Sequence, residues 1–119
     1  WIVWNKVGGH DFKNPFSDAE LAWTSIEKKP LKMYTVIQQG FVSEEKDRVH
    51  PTQKPVKLFG HILNDYTKEG DVVFDGFLGS GTTALACKML KRNYIGCEIS
   101  PEYCKIAEDR IKSISNTLF

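Results

Sequence analysis

Residues 72–84 read Val72-Val73-Phe74-Asp75-Gly76-Phe77-Leu78-Gly79-Ser80-Gly81-Thr82-Thr83-Ala84, and residues 94–98 read Tyr94-Ile95-Gly96-Cys97-Glu98. A short apolar run closed by an acid predicts a buried strand over 72–75. Gly76, Gly79 and Gly81 then predict a turn. Residues 82–91 place Leu85, Ala86, Met89 and Leu90 at helical spacing, with Asn93 as the stop. A second strand is expected over 94–97, with Glu98 at its carboxyl end. Ser100-Pro101 pairs an N-cap with proline at the first helical position. The helix it opens carries Tyr103, Ile106, Ala107, Ile111 and Ile114 on one stripe and runs to about residue 113. Strand, glycine turn, helix, strand, acid and helix make a βαβα unit, with a parallel strand pair and a right-handed crossover. Ligands of such sheets bind beyond the carboxyl ends of the strands. Asp75, the glycine turn and Glu98 all fall there.

Outward from this unit the patterning is less regular. Leu58, Phe59, Ile62, Leu63 and Tyr66 define one face of a helix starting at residue 56, and Glu69-Gly70-Asp71 is a turn. Residues 38–55 form a long polar connection ending in His50-Pro51-Thr52-Gln53-Lys54-Pro55. Connections of this length in a compact domain are usually functional. A strand is expected over 31–37. Ser17-Asp18-Ala19-Glu20 has the Ser-x-x-Glu form of a capping box, which predicts a short helix through Trp23. Residues 1–4 read as a buried strand, ended by Asn5-Lys6 and the Gly8-Gly9 turn.

Composition bounds the class. The chain has 119 residues, 41% of them hydrophobic and 26% charged, which is ordinary for one globular domain or part of one. Sixteen basic against 15 acidic side chains give a net charge of +1, which excludes a polybasic or acidic-tail protein. No apolar run approaches the roughly 18 residues of a membrane helix, and no secretory signal opens the chain, so the cytoplasm is the expected compartment. Cys87, Cys97 and Cys104 form no CxxC pair, and His10, His50 and His61 are scattered. Free buried thiols are expected, and no metal site.

Three cofactor classes compete for the glycine turn. A phosphate-cradling loop needs a lysine where Thr82 stands. A dinucleotide fingerprint is satisfied by Gly79, Gly81 and Ala84, with Glu98 lying 19 residues after Gly79. A single helical segment after Glu98 is short for the remainder of that fold. S-adenosylmethionine presents a ribose that suits Glu98, an ammonium that suits Asp75, and a carboxylate that suits the N–H groups of a helix start. Phe77 can pack on its uncharged part.

The segment from Asp75 to Thr83 resembles the D-P-F-x-G-S-G-T-T motif of DNA methyltransferases that modify exocyclic amino groups, adenine N6 or cytosine N4. His50-Pro51-Thr52-Gln53-Lys54-Pro55 is similar to the element preceding that motif in the family. Glu98-Ile99-Ser100-Pro101-Glu102-Tyr103, with Ala107 and Arg110-Ile111, is similar to the motif following it. Their order is that of the permuted, beta-class members. More loosely, residues 1–6 and 17–25 resemble the segment after the family's catalytic strand, most of all in phage-type members. The resemblance implies an incomplete Rossmann-like α/β methyltransferase fold, with a mostly parallel sheet and flanking helices. It implies S-adenosylmethionine as cofactor and double-stranded DNA as partner. The cofactor residues it implies are Thr52, Gln53, Lys54, Asp75, Phe77, Gly79, Ser80, Gly81, Thr82, Thr83 and Glu98. Residues 1–49 would hold post-catalytic strands and a target-recognition loop, in which Lys28, Lys29, Lys32, Lys46 and Arg48 could meet phosphates. Residues 50–119 would form the cofactor-binding half.

Two features depart from the family pattern. Gly76 replaces a proline. The catalytic [DNS]-P-P-[YFW] motif is absent, and Asn14-Pro15-Phe16 reads as a loop. In the family that motif accepts the hydrogens of the target amine and stacks on a base flipped out of the duplex. No catalytic residue is therefore assigned. The resemblance places about 60–90 residues before Trp1, or a second chain carrying the motif. The strand at 1–4 would then be a central strand without its neighbour. A homodimer is compatible with this reading. An inactive remnant or cofactor-binding adaptor, and a dinucleotide oxidoreductase fragment, stay open as alternatives.

Overall fold

In the computed structural model, which describes residues 1–26, 28–39, 42–43 and 53–115, the chain divides into two units, Trp1–Asp47 and Arg48–Phe119. The first is built on β1 (Ile2–Asn5), which alternates in burial because successive side chains point to opposite faces. Ile2 and Trp4 face inward, with Tyr34 and Val36. The indole Nε1 of Trp4 donates to the Val36 carbonyl at 2.8 Å, so the ring is buried with its polar atom satisfied. β1 pairs parallel with β3 (Lys32–Thr35), placing Trp4 beside Tyr34, and antiparallel with β2 (Ala19–Ala22), placing Trp4 beside Glu20. Asn5 closes the strand: its Oδ1 accepts the N–H groups of Val7 and Gly8, both at 3.0 Å. Gln38–Gln39 (β4) and Val42–Ser43 (β5) form a short antiparallel pair.

Two expectations are corrected in this unit. The helix expected from Ser17 to Trp23 is strand β2. Its residues complete the open edge of β1, and Glu20 meets Lys6 across the sheet at 3.1 Å. The strand at 1–4 is central as expected, but it does not lack a neighbour: β1 is paired on both sides, in the order β2-β1-β3.

The second unit follows the regular part of the sequence. Its elements are α1 (Val56–Tyr66), β6 (Val72–Asp75), α2 (Thr82–Met89), β7 (Asn93–Gly96) and α3 (Pro101–Ser115). β6 and β7 are parallel, with Val72 beside Asn93 and Asp75 beside Gly96. This register sets the two carboxyl strand ends level. Leu63, Ala86 and Cys87 form the core, with Val56, Phe59, Val73 and Leu90 packed on it. Val73 and Asp75 on one face of β6 are half-buried, Val72 and Phe74 on the other are exposed, and β7 is exposed along its length, which corrects the expectation of a buried strand over 72–75. Met89, expected inward, is also exposed.

Arg92 ties the helix ends together. It donates Nε and Nη2 to the hydroxyl and carbonyl of Thr67 after α1, at 3.0 and 2.9 Å, and Nη1 to the Leu90 carbonyl after α2, at 2.6 Å. Lys91 (φ +59°), not Asn93, takes the left-handed turn that ends α2. Among the described residues, no helix is long and apolar enough to cross a membrane.

Candidate cofactor site

Asp75 ends β6, and its carboxylate organises the turn that follows. Oδ1 accepts the Phe77 N–H at 2.9 Å, and Oδ2 accepts the Thr83 hydroxyl at 2.6 Å. The turn is further zipped to β7: the Leu78 N–H donates to the Cys97 carbonyl at 2.8 Å, and the Cys97 N–H donates to the Asp75 carbonyl at 2.9 Å.

Glu98 stands beyond β7 and reaches back to this turn. Oε1 accepts the Gly79 N–H at 3.0 Å, and Oε2 accepts the Ser100 N–H at 2.8 Å. A carboxylate offers about four lone-pair directions, so both oxygens can accept further hydrogens. Beside them α2 begins, with its first N–H groups free of intrahelical partners by helix geometry.

The glycines have separate tasks. Gly79 (φ +57°) borders open space, since a Cβ there would meet nothing nearer than the Phe77 carbonyl oxygen at 4.0 Å. Gly81 (φ +90°) is tightly packed, and a Cβ would lie 2.8 Å from the Ala107 Cβ and 3.1 Å from its Cα. The first leaves a cradle, and the second lets α3 close on α2.

The other expected residues divide by direction. Gln53, Ser80, Thr82 and Thr83 are all buried. Ser80 Oγ donates to Gln53 Oε1 at 3.2 Å, and Thr82 Oγ1 donates to the Lys54 carbonyl at 3.1 Å. These hydroxyls bind the turn to the segment before α1. Phe77 is 94% exposed, an apolar side chain held out at the turn's tip. Thr52, with His50 and Pro51, lies outside the described residues. Lys28 and Lys29 are exposed in the first unit, Lys32 sits over the Tyr34 ring at 5.5 Å, and Lys46 and Arg48 lie outside the described residues.

Three residues of this site carry no role in the sequence reading. Ile99, next to Glu98, is 99% exposed. Gly96 admits Leu78, because a Cβ there would stand 2.7 Å from the Leu78 Cδ2. A glycine inside a strand is the available signal for such a close approach. Arg110 donates to Ser80, a contact that helical periodicity alone does not reveal. The cysteines are free, but only Cys87 is buried; Cys97 is exposed and Cys104 half-buried, which corrects the expectation of three buried thiols. No group of side chains that could hold a metal occurs among the described residues.

The donor set fits a ligand with an amino-acid end and a sugar. Two carboxylates and a helix start adjoin a turn in which Gly79 leaves open space, and Phe77 and Ile99 are exposed apolar side chains next to it in the chain.

Known proteins agree in sequence and in fold. The chain is 50% identical over 80 residues to the orphan methyltransferase M.BamHII of Bacillus amyloliquefaciens, covering 65% of this chain and 30% of the relative. It is 47% identical over 68 residues to the type II methyltransferase M2.DpnII of Streptococcus pneumoniae, covering 57% and 25%. The chain thus spans about a quarter to a third of these curated relatives. Among solved structures, the M1.HpyAVI–SAM complex superposes with a TM-score of 0.67 at 29% identity, covering 92% of this chain and 60% of that one. The α/β architecture is therefore that of methyltransferases. The profile described as DNA methylase matches residues 2–109, which takes in both sheets of β1–β3 and β6–β7 and the glycine turn between β6 and α2. With nearly its whole length matched, the chain belongs to the DNA methylase family.

Proposed function

We propose that this chain supplies the S-adenosylmethionine-binding part of an enzyme that methylates an exocyclic amino group of DNA, adenine N6 or cytosine N4. The observation that carries this reading is Glu98 closing on Gly79 across two level strand ends, with Asp75 at the other end. When bound, S-adenosylmethionine supplies an electrophilic methyl group on a sulfonium sulfur. Glu98 receives the ribose hydroxyls, its carboxylate already aimed by two main-chain N–H groups. Asp75 faces the ammonium, and the start of α2 takes the carboxylate. Phe77 and Ile99, both exposed, cover apolar parts of the ligand and exclude water from them. Gln53, Lys54, Ser80, Thr82 and Thr83 hold the turn in shape, and Thr52 belongs to the same binding element.

The acceptors that would polarise the target amine are not part of these 119 residues, which contain no [DNS]-P-P-[YFW] string. A further segment or a second chain brings them to duplex DNA. Catalysis then rests on proximity and charge placement, with no cysteine nucleophile. The cytoplasm is the compartment where such an enzyme meets DNA.

Titration calorimetry with S-adenosylhomocysteine tests the binding claim. Glu98→Ala is expected to weaken affinity at least about tenfold, the scale of one lost charged hydrogen-bonding site. Unchanged affinity would remove Glu98 from the ribose, and preference for NAD would overturn the cofactor. Transfer of labelled methyl groups to duplex DNA by this chain alone would show that the missing motif is replaced.

A further inference from the structure

We propose that Arg110 is a positioning residue for the turn that grips the amino-acid end of the methyl donor, acting through Ser80. The proposal rests on the binding reading above. Arg110 reaches from α3 and donates Nη1 to the Ser80 carbonyl at 2.7 Å and to Ser80 Oγ at 3.0 Å. The same hydroxyl donates to Gln53 Oε1 at 3.2 Å. Ser80 is thus held from two sides, by α3 and by the segment before α1. The next residue but one, Thr82, is held by the Lys54 carbonyl at 3.1 Å.

The anchor falls where the backbone restrains itself least. Ser80 lies between Gly79 (φ +57°) and Gly81 (φ +90°), residues that populate either sign of φ readily. A loop with two such joints samples many shapes unless a side chain between them is fixed, and ordering it on ligand binding would weaken affinity. Arg110 removes that penalty beforehand. Its guanidinium also holds the Ser80 carbonyl toward α3, so that this oxygen cannot swing to an incoming carboxylate and repel it. Charge-assisted bonds of this length are the stronger class of hydrogen bond. Burial of Ser80 and Gln53, at 6% and 5% exposure, shields the network from water.

A positioning role differs from general structural support in what it affects. S-adenosylhomocysteine carries the amino-acid end, whereas 5′-methylthioadenosine keeps the nucleoside and lacks that end. Calorimetry on the full chain compares the two ligands in Arg110→Met, Arg110→Lys and Ser80→Ala, with Lys112→Ala as an exposed control on α3. Arg110→Met is expected to lose about tenfold for S-adenosylhomocysteine and less than about twofold for methylthioadenosine. Arg110→Lys is expected to recover most of the loss, because an ammonium can donate to both Ser80 oxygens. Ser80→Ala is expected to show a smaller loss with the same ligand bias, and it decides the matter if Arg110→Met fails to fold. Equal losses for both ligands, or unchanged affinity for S-adenosylhomocysteine, overturn the proposal. Failure of the unsubstituted chain to bind S-adenosylhomocysteine overturns the binding reading itself.

Discussion

Cys87 and Cys97 show how position separates side chains of one type. Cys87 is fully buried on α2, and burial pushes its thiol above the ordinary value, with Asp75 adding to the rise and Arg92 opposing it. The fold therefore favours the neutral thiol. That contribution is complete below the unfolded thiol's pKa, about 8.5, and is lost as pH rises through the higher folded value. Urea-unfolding midpoints should decline in the alkaline range, with a shallower slope in Cys87→Ala, although that variant is less stable throughout. Cys97 is exposed, and Cys104 donates its thiol to the Glu98 carbonyl at 3.4 Å. Iodoacetamide followed by peptide mass mapping should label Cys97 first and Cys87 last. Equal rates at the two would mean that the α1–α2 interface opens readily. The sequence shows all three thiols in apolar-patterned runs, and packing separates them: Cys87 lies in the core, and Cys97, just past β7, is exposed.

At the scale of elements, the contact between α2 and α3 is the most exacting. Gly81→Ala must bear both a left-handed φ and a Cβ within 3.1 Å of the Ala107 backbone. A cost of about 2–4 kcal/mol is expected from strain plus overpacking. Adding Ala107→Gly removes the contact with the Ala107 Cβ but leaves the φ strain and the approach to the Ala107 Cα, and glycine inside α3 itself costs about 1 kcal/mol. Denaturant melts should therefore show the pair as a favourable coupling of about 1 kcal/mol in a double-mutant cycle, not as a net gain. A Gly81→Ala chain of unchanged stability would show that α3 can move away from α2. The sequence marks Gly81 as the end of a turn, but the demand of Ala107 on it depends on how two helices cross. The helices, β6, β7 and the Ser100 cap are legible because each carries its own period and stop signals; the Tyr103 N–H indeed reaches Ser100 Oγ at 3.4 Å. β2 is not legible for the opposite reason. Ala19-Glu20-Leu21-Ala22 lacks strand alternation, and Ser17 with Glu20 mimics a capping box. The open edge of β1, and Lys6 waiting for Glu20, decide the conformation from outside the segment.

For the whole molecule, the division into Trp1–Asp47 and Arg48–Phe119 sets where ligand binding acts. Every candidate cofactor residue described, from Gln53 to Glu98, belongs to the second unit. A ligand that binds only the folded form stabilises it by about 2.7 kcal/mol at a hundred times its Kd. In a unit of this size that raises the melting temperature by roughly 10–20 °C, at about 4–8 °C for each kcal/mol. The gain belongs to whatever unfolds together with the site. Saturating S-adenosylhomocysteine should slow hydrogen exchange at the Gly79 and Ser100 amides, which already donate to Glu98, and along α2 and α3, whose packing holds the turn. The amides of the β1–β3 ladder should keep their rates, because none of the described candidate ligands of the cofactor lies in that unit. Slowing by the same factor throughout would show that both units unfold in one step, and slowing confined to β1–β3 would place the ligand elsewhere.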